Sequence, residues 1–152
     1  MEQIKQTKES FEKLKEAILQ KYPDLQIEDS DTKDKTFYDI KEKKIYIYSR
    51  LSIKNRMFFL LHEAGHHEIR TKKNLNNKFY RASNGLHHAS LTKRSRLDHL
   101  REEFHAWEIA FDLAEELQID LDFGEMKCLL HSCLHNYIDW YKHPKKYETA
   151  IY

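Results

Sequence analysis

Cysteine is scarce in this chain: two residues in 152, Cys128 and Cys133, five apart in a segment with helical periodicity. So few thiols, so placed, exclude a disulfide framework and lead us to expect a reducing, cytoplasmic location. An excess of charge of one sign is also missing. Charged residues make up 34% of the chain, yet the formal net charge is only +1. Disorder is marked by low hydropathy together with high net charge, so folding is expected. The same balance argues against a dedicated nucleic-acid binder, which needs Lys and Arg gathered in excess on one face. No run approaches the roughly 18 to 20 apolar residues of a membrane span. The opening Met1-Glu2-Gln3-Ile4-Lys5 leads into alternating charges rather than the apolar core of a signal peptide. Internal repeats and low-complexity tracts are absent too. What remains is 40% hydrophobic and 12% aromatic, long enough for one core and too short for two ordinary domains. One domain over residues 1–152 is the expectation.

From Ile4 to Tyr22 the apolar positions Phe11, Leu14, Ile18 and Tyr22 recur every three or four residues, the period of an amphipathic helix, and Pro23 stops it. Three segments with strand character follow, Leu25 to Glu28, Thr36 to Ile40 and Lys44 to Tyr48. The last two are joined by Lys41-Glu42-Lys43, a hairpin connection without Gly or Asn. Ser52 fits the N-cap of a helix running to about Arg70, whose middle Met57-Phe58-Phe59-Leu60-Leu61 is apolar enough to cross the core. Residues 71–96, with Asn76-Asn77 and Asn84-Gly85 as turn signals, read as a long loop with a turn of helix near Leu86 to Leu91. Helical patterns resume from about Leu97 to Gln118 and from about Gly124 to Lys142, before Pro144. The expected fold class is α+β: an N-terminal helix, a small, mainly antiparallel three-stranded sheet and three further helices.

One motif is sharp. His62-Glu63-Ala64-Gly65-His66 is an H-E-x-x-H sequence inside a predicted helix. Residues four apart share a helix face, so two imidazoles can converge on one tetrahedral Zn²⁺, while Glu63 stands beside the metal where it can take a proton from water. On a wheel of about 100° per residue, His62 and His66 share an arc with Phe58, Phe59 and Ile69 and so face the interior. Two core histidines satisfied by hydrogen bonds are the bland alternative. The chain's ten histidines raise the chance of an accidental match, but the helical context and the intervening Glu favour metal.

A catalytic zinc takes three protein ligands and leaves one position open. The H-E-x-x-H-x-x-G-x-x-H extension is absent, since Ile69 and Lys72 stand where Gly and His would be needed. A carboxylate on a following helix is the other solution. Leu100, Phe104, Trp107, Ala110 and Leu113 mark an apolar arc with Glu103 near its middle, Glu102 at its solvent edge and His105 outside it. A carboxylate aimed into a core needs a cation, so Glu103 is the expected third ligand. His99, one turn earlier in the same arc, is the rival, and otherwise a candidate for a supporting or transition-state role.

The run Lys44-Ile45-Tyr46-Ile47-Tyr48, then Leu51 to Arg56, Phe59 and His62-Glu63-Ala64-Gly65-His66, then Glu103-Phe104-His105-Ala106-Trp107-Glu108-Ile109-Ala110, resembles the ImmA/IrrE metallopeptidases. The resemblance covers Lys44 to Leu117, roughly half the chain. It implies a gluzincin-like minimal domain with a short sheet before the H-E-x-x-H helix and Glu103 as ligand within an E-x-x-A-x-x-F-A pattern. It also implies a regulatory protein as substrate, in a divergent phage or mobile-element member. Trp107 and Ile109 depart from that pattern.

The remaining candidates weigh less. Cys128, His131, Cys133 and His135 have ligand chemistry, but Cys133 lies off the face that the others share, and a plain amphipathic helix accounts for them. His67 is expected at the surface. His87 or His88 could enter the site as an oxyanion donor if the loop folds over it. Arg70, Lys72, Lys73, Lys78, Arg81, Lys93, Arg94 and Arg96 flank that loop and most simply solvate it. The reaction expected is zinc-dependent peptide hydrolysis with one Zn²⁺ per chain. Glu63 takes a proton from water and returns it to the leaving amine, and an extended protein substrate pairs with an edge strand such as Lys44 to Tyr48. The alternatives are a nonproteolytic metal-bound module, which has no use for Glu63 as a base, and a nucleic-acid-associated protein using the basic loop 70–96.

Overall fold

A computed structural model describes residues 7–32, 35–72 and 92–147. Helix α1, Lys8–Lys21, starts at a capping box in which Thr7 Oγ1 accepts the Ser10 N–H and Ser10 Oγ accepts the Thr7 N–H. Its apolar stripe buries Phe11, Leu14 and Ile18. Three strands follow: β1, Gln26–Ser30; β2, Phe37–Asp39; and β3, Lys44–Tyr48. The Asp39 carboxylate accepts the N–H groups of Lys41 and Glu42 at 2.8 and 3.0 Å, and Lys43 takes φ 50°. An aspartate side chain thus shapes the turn for which the sequence supplies no Gly or Asn.

The fold is α+β, with a correction to the sheet. Strand order is β1-β3-β2, with β2 antiparallel to β3 but β1 parallel to it over five residue pairs. The sheet is therefore mixed rather than mainly antiparallel, and Lys44 to Tyr48 is its centre rather than an edge. The reason lies in burial. Ile45 and Ile47 on one face of β3 are fully buried, whereas Gln-Ile-Glu-Asp-Ser in β1 is mostly exposed and belongs at a rim. The outer strands are β1 and the three-residue β2.

Helix α2, Ile53–Thr71, begins at Ser52, whose hydroxyl accepts the Asn55 N–H. It is the hub, packing against α1, β2, β3 and the next helix. Nearly all its middle turns are buried, which is why its apolar run is continuous rather than periodic. Helix α3, Lys93–Glu116, is capped by Thr92 and begins four residues earlier than the periodicity suggested. Helix α4, Phe123–Lys142, is capped by Asp122, and a short 3₁₀ turn, Pro144–Tyr147, follows. The expected turn of helix at Leu86 to Leu91 lies outside the described residues, as do Ile4 at the chain start and both His87 and His88. Among the described residues no helix is long and apolar enough to cross a membrane.

Gly65 sets how closely α2 and α3 approach. A Cβ at Gly65 would lie 2.4 Å from the Ala106 carbonyl oxygen, inside any allowed contact. The missing methyl lets backbone meet backbone. His62 and His66 flank Gly65 on one helix and Glu103 stands one turn before Ala106 on the other, so this crossing is what brings them together.

Candidate metal centre

Three side chains on two helices converge at the crossing. Glu103 Oε2 lies 3.1 Å from His62 Nε2, Glu103 Oε1 lies 3.2 Å from His66 Nε2, and the two Nε2 atoms are 3.2 Å apart. Each can act as an acceptor, and acceptors face one another only with a proton or a cation between them. For metal–ligand bonds of about 2.0 to 2.1 Å, a tetrahedral ion separates its donors by about 3.3 Å. The observed triangle is close to that size. His62, His66 and Glu103 could therefore hold a metal ion, and among the described residues they are the one such group of three.

Electrostatics point the same way. Glu63 and Glu102 are buried, and Glu103 nearly so, around one cavity of about 310 Å³. The one arginine lining it is Arg70. The exposed Lys35 also lines it, but the three carboxylates outnumber the one buried cation, an excess that a divalent cation would offset. Burial opposes charge on Glu103, but the His66 and His62 imidazoles outweigh it and hold the carboxyl well below its usual range. Burial likewise opposes charge on His66, and there Glu103 and Glu102 prevail, raising it well above the ordinary histidine value. The carboxylates that favour a proton on His66 favour a metal cation beside it as well.

Glu63 is 8% exposed. Burial raises its carboxyl above the ordinary range, against the lowering influence of His62, His66 and the Tyr38 backbone N–H that donates to it. The outer edge of β2 therefore touches the candidate base. Tyr137, from α4, completes the wall: its hydroxyl donates to Glu103, and burial together with that carboxylate pushes the phenol well above its normal value. Burial also raises the Cys133 thiol to about 11, keeping it protonated and a poor ligand. Cys128 is exposed.

Each imidazole of the pair is held differently. The His62 ring stacks on Trp107, with centroids 4.4 Å apart and planes 23° apart. Trp107 is thus the platform for a candidate ligand. His66 Nδ1 lies 3.1 Å from Glu102 Oε1, and Glu102 is gripped in turn by Arg70.

Two sequence expectations fail here. Glu102 is not at the solvent edge; it is 4% exposed, because a cation on the neighbouring helix offsets its burial. His67 is not a surface residue either, at 1% exposed. The sheet and the α1–β1 turn cover that side of α2, and the ring sits edge-on to Tyr22 and Tyr38. His99 lines the cavity and packs edge-on against Trp140, outside the converging triangle. His105 lines a separate apolar groove with Phe104 and Ile138. Tyr137, Arg70 and the β2 edge were not assigned to the site from sequence. Only Arg70 carried a usable signal, standing four residues after His66 and so on the same helix face.

In comparisons with known proteins, no family model, no curated protein and no solved structure matches the chain.

Proposed function

We propose that the chain is a zinc-dependent metallopeptidase acting on a protein substrate, with His62, His66 and Glu103 holding one Zn²⁺ and Glu63 as the general base. One observation carries the reading: three acceptor atoms converge on a single point with a buried, proton-seeking carboxyl beside it. Zinc suits two imidazoles and a carboxylate with one position open, and when bound it supplies Lewis acidity and lowers the pKa of water. The chain supplies the rest. Glu63 takes the proton of the attacking water and delivers it to the leaving amine. Tyr137, whose hydroxyl donates to the carboxylate ligand, is a donor suited to a developing oxyanion. The exposed edge of β2 offers backbone groups along which an extended peptide can lie, with Phe37 and Ile40 as its apolar flank. This function is the one implied by the resemblance to the ImmA/IrrE proteins, and a regulatory protein is the proposed substrate class.

The test is a proteome-wide cleavage screen comparing the wild type with Glu63→Gln, both checked for zinc content. Cleavage products that appear only with the wild type, at equal zinc content, support the peptidase. Equal zinc with no wild-type-specific products in the host lysate contradicts it.

A further inference from the structure

Of the two imidazoles in the triangle, only His66 has a charged partner on its far nitrogen. His66 Nδ1–H donates to Glu102 Oε1 at 3.1 Å. With its proton on that side, Nε2 keeps its lone pair free, aimed at the point shared with His62 and Glu103. Arg70 fixes the carboxylate itself: its Nε–H donates to Oε1 at 2.9 Å and its Nη2–H to Oε2 at 2.5 Å. This fork sets the plane of the carboxylate as well as its position. Both side chains are almost wholly buried, 6% and 5% exposed, where either alone would be costly.

We infer that Arg70 and Glu102 form a positioning pair that holds His66 in the tautomer and orientation of a metal ligand. The inference rests on the metal reading above and extends it to two residues with no contact to the metal point. His62, His66 and Arg70 stand at intervals of four on α2, so one face carries two ligands and then the clamp for the second. Glu102 and Glu103 are adjacent on α3, one carboxylate directed to the shared point and the other to the back of the ring. Among the described residues His62 Nδ1 has no hydrogen-bond partner, and the Trp107 stack takes its place. The pair also matters for charge. Arg70 is the buried cation of the lining and offsets Glu102, so that of the three carboxylates Glu63 and Glu103 are the two left for a metal cation to offset.

The experiment is zinc affinity measured by chelator competition on the full chain, for wild type, Glu102→Gln, Arg70→Met, the double variant and Lys72→Met. Glu102→Gln should weaken zinc binding about 10- to 100-fold, the usual cost of losing such a partner. Arg70→Met should also weaken it, but added to Glu102→Gln it should change affinity by no more than about threefold, because Arg70 acts only through Glu102. Lys72→Met removes a cation at the C-cap of the same helix, outside the clamp, and should leave affinity unchanged. If Arg70→Met fails to fold, the double variant, which removes both charges together, keeps the comparison available. A purely structural role would lower the melting temperature of the zinc-free protein while leaving zinc affinity and the cobalt-substituted absorption spectrum of Glu102→Gln as in wild type, and that result would overturn the inference. Wild-type affinity in Glu102→Gln alongside a zinc-binding wild type overturns the clamp alone; a wild type that binds no zinc overturns the metal reading beneath it.

Discussion

His66 and His67 are neighbours in sequence, both buried or nearly so, and they face opposite environments. His66 looks into the α2–α3 crossing, where its nitrogens meet Glu102 on one side and Glu103 and His62 on the other. His67 looks toward the sheet, where the Tyr38 hydroxyl donates to Nδ1 at 3.0 Å and Nε2–H donates to Asp24 at 3.3 Å. Every polar atom of the His67 ring is satisfied by protein, and burial holds it below the ordinary histidine value, so it stays neutral. His66 is raised instead by its carboxylates. Burial therefore does not mark a ligand. What marks a candidate ligand is convergence: His66 Nε2 faces His62 Nε2 and a Glu103 oxygen, each 3.2 Å away, at one point.

The largest effect should come from the third corner of the triangle. Glu103→Ala should release most of the zinc, while His99→Ala, which touches the cavity but not the triangle, should retain it; metal analysis after desalting distinguishes the two, and the opposite pattern would make the site a three-histidine one. Next comes the separation of holding a metal from using it. Glu63→Gln keeps the shape of the pocket and the zinc, and cleavage of a true substrate should fall by about 10² to 10⁴, as measured by rates on a substrate identified in the screen. Gly65→Ala should damage the His66 side selectively. Its methyl would drive the helices apart against backbone that cannot give way, costing about 1 to 3 kcal/mol in denaturant titration and weakening zinc binding. His67→Phe should do the converse, destabilising the fold by about 1 to 3 kcal/mol chiefly by leaving the half-buried Tyr38 hydroxyl without its acceptor, since Asp24 is half exposed and keeps Lys43, with zinc content unchanged. Smallest of all, Cys128→Ser combined with His131→Gln should alter neither zinc stoichiometry nor stability, since Cys128 and His131 are exposed on α4 and belong to no metal cluster among the described residues.

The sequence made the helical half of the molecule legible. Ser52, Pro23 and Pro144 mark element ends that local chemistry dictates, and His62 and His66 are candidate ligands by a spacing internal to one helix. Features set by contacts between elements were harder to read. The wheel for α3 placed Glu102 at the solvent edge because its apolar arc says nothing of Arg70, which lies on another helix. His67 looked exposed because the strand and turn that cover it are joined to α2 only by the fold. The parallel pairing of β1 is likewise a choice between topologies that alternation within a strand cannot make, although the greater apolar content of β3 hinted that it belongs in the centre.

The central claim is that the α2–α3 crossing is a metal site and the adjacent buried histidine is not part of it. Zinc per chain, measured by mass spectrometry on wild type, His66→Ala and His67→Ala after equal loading and desalting, tests it most directly. The account predicts about one ion in wild type, close to none in His66→Ala and about one in folded His67→Ala. Equal zinc in His66→Ala and wild type, or none in any of the three, would contradict it.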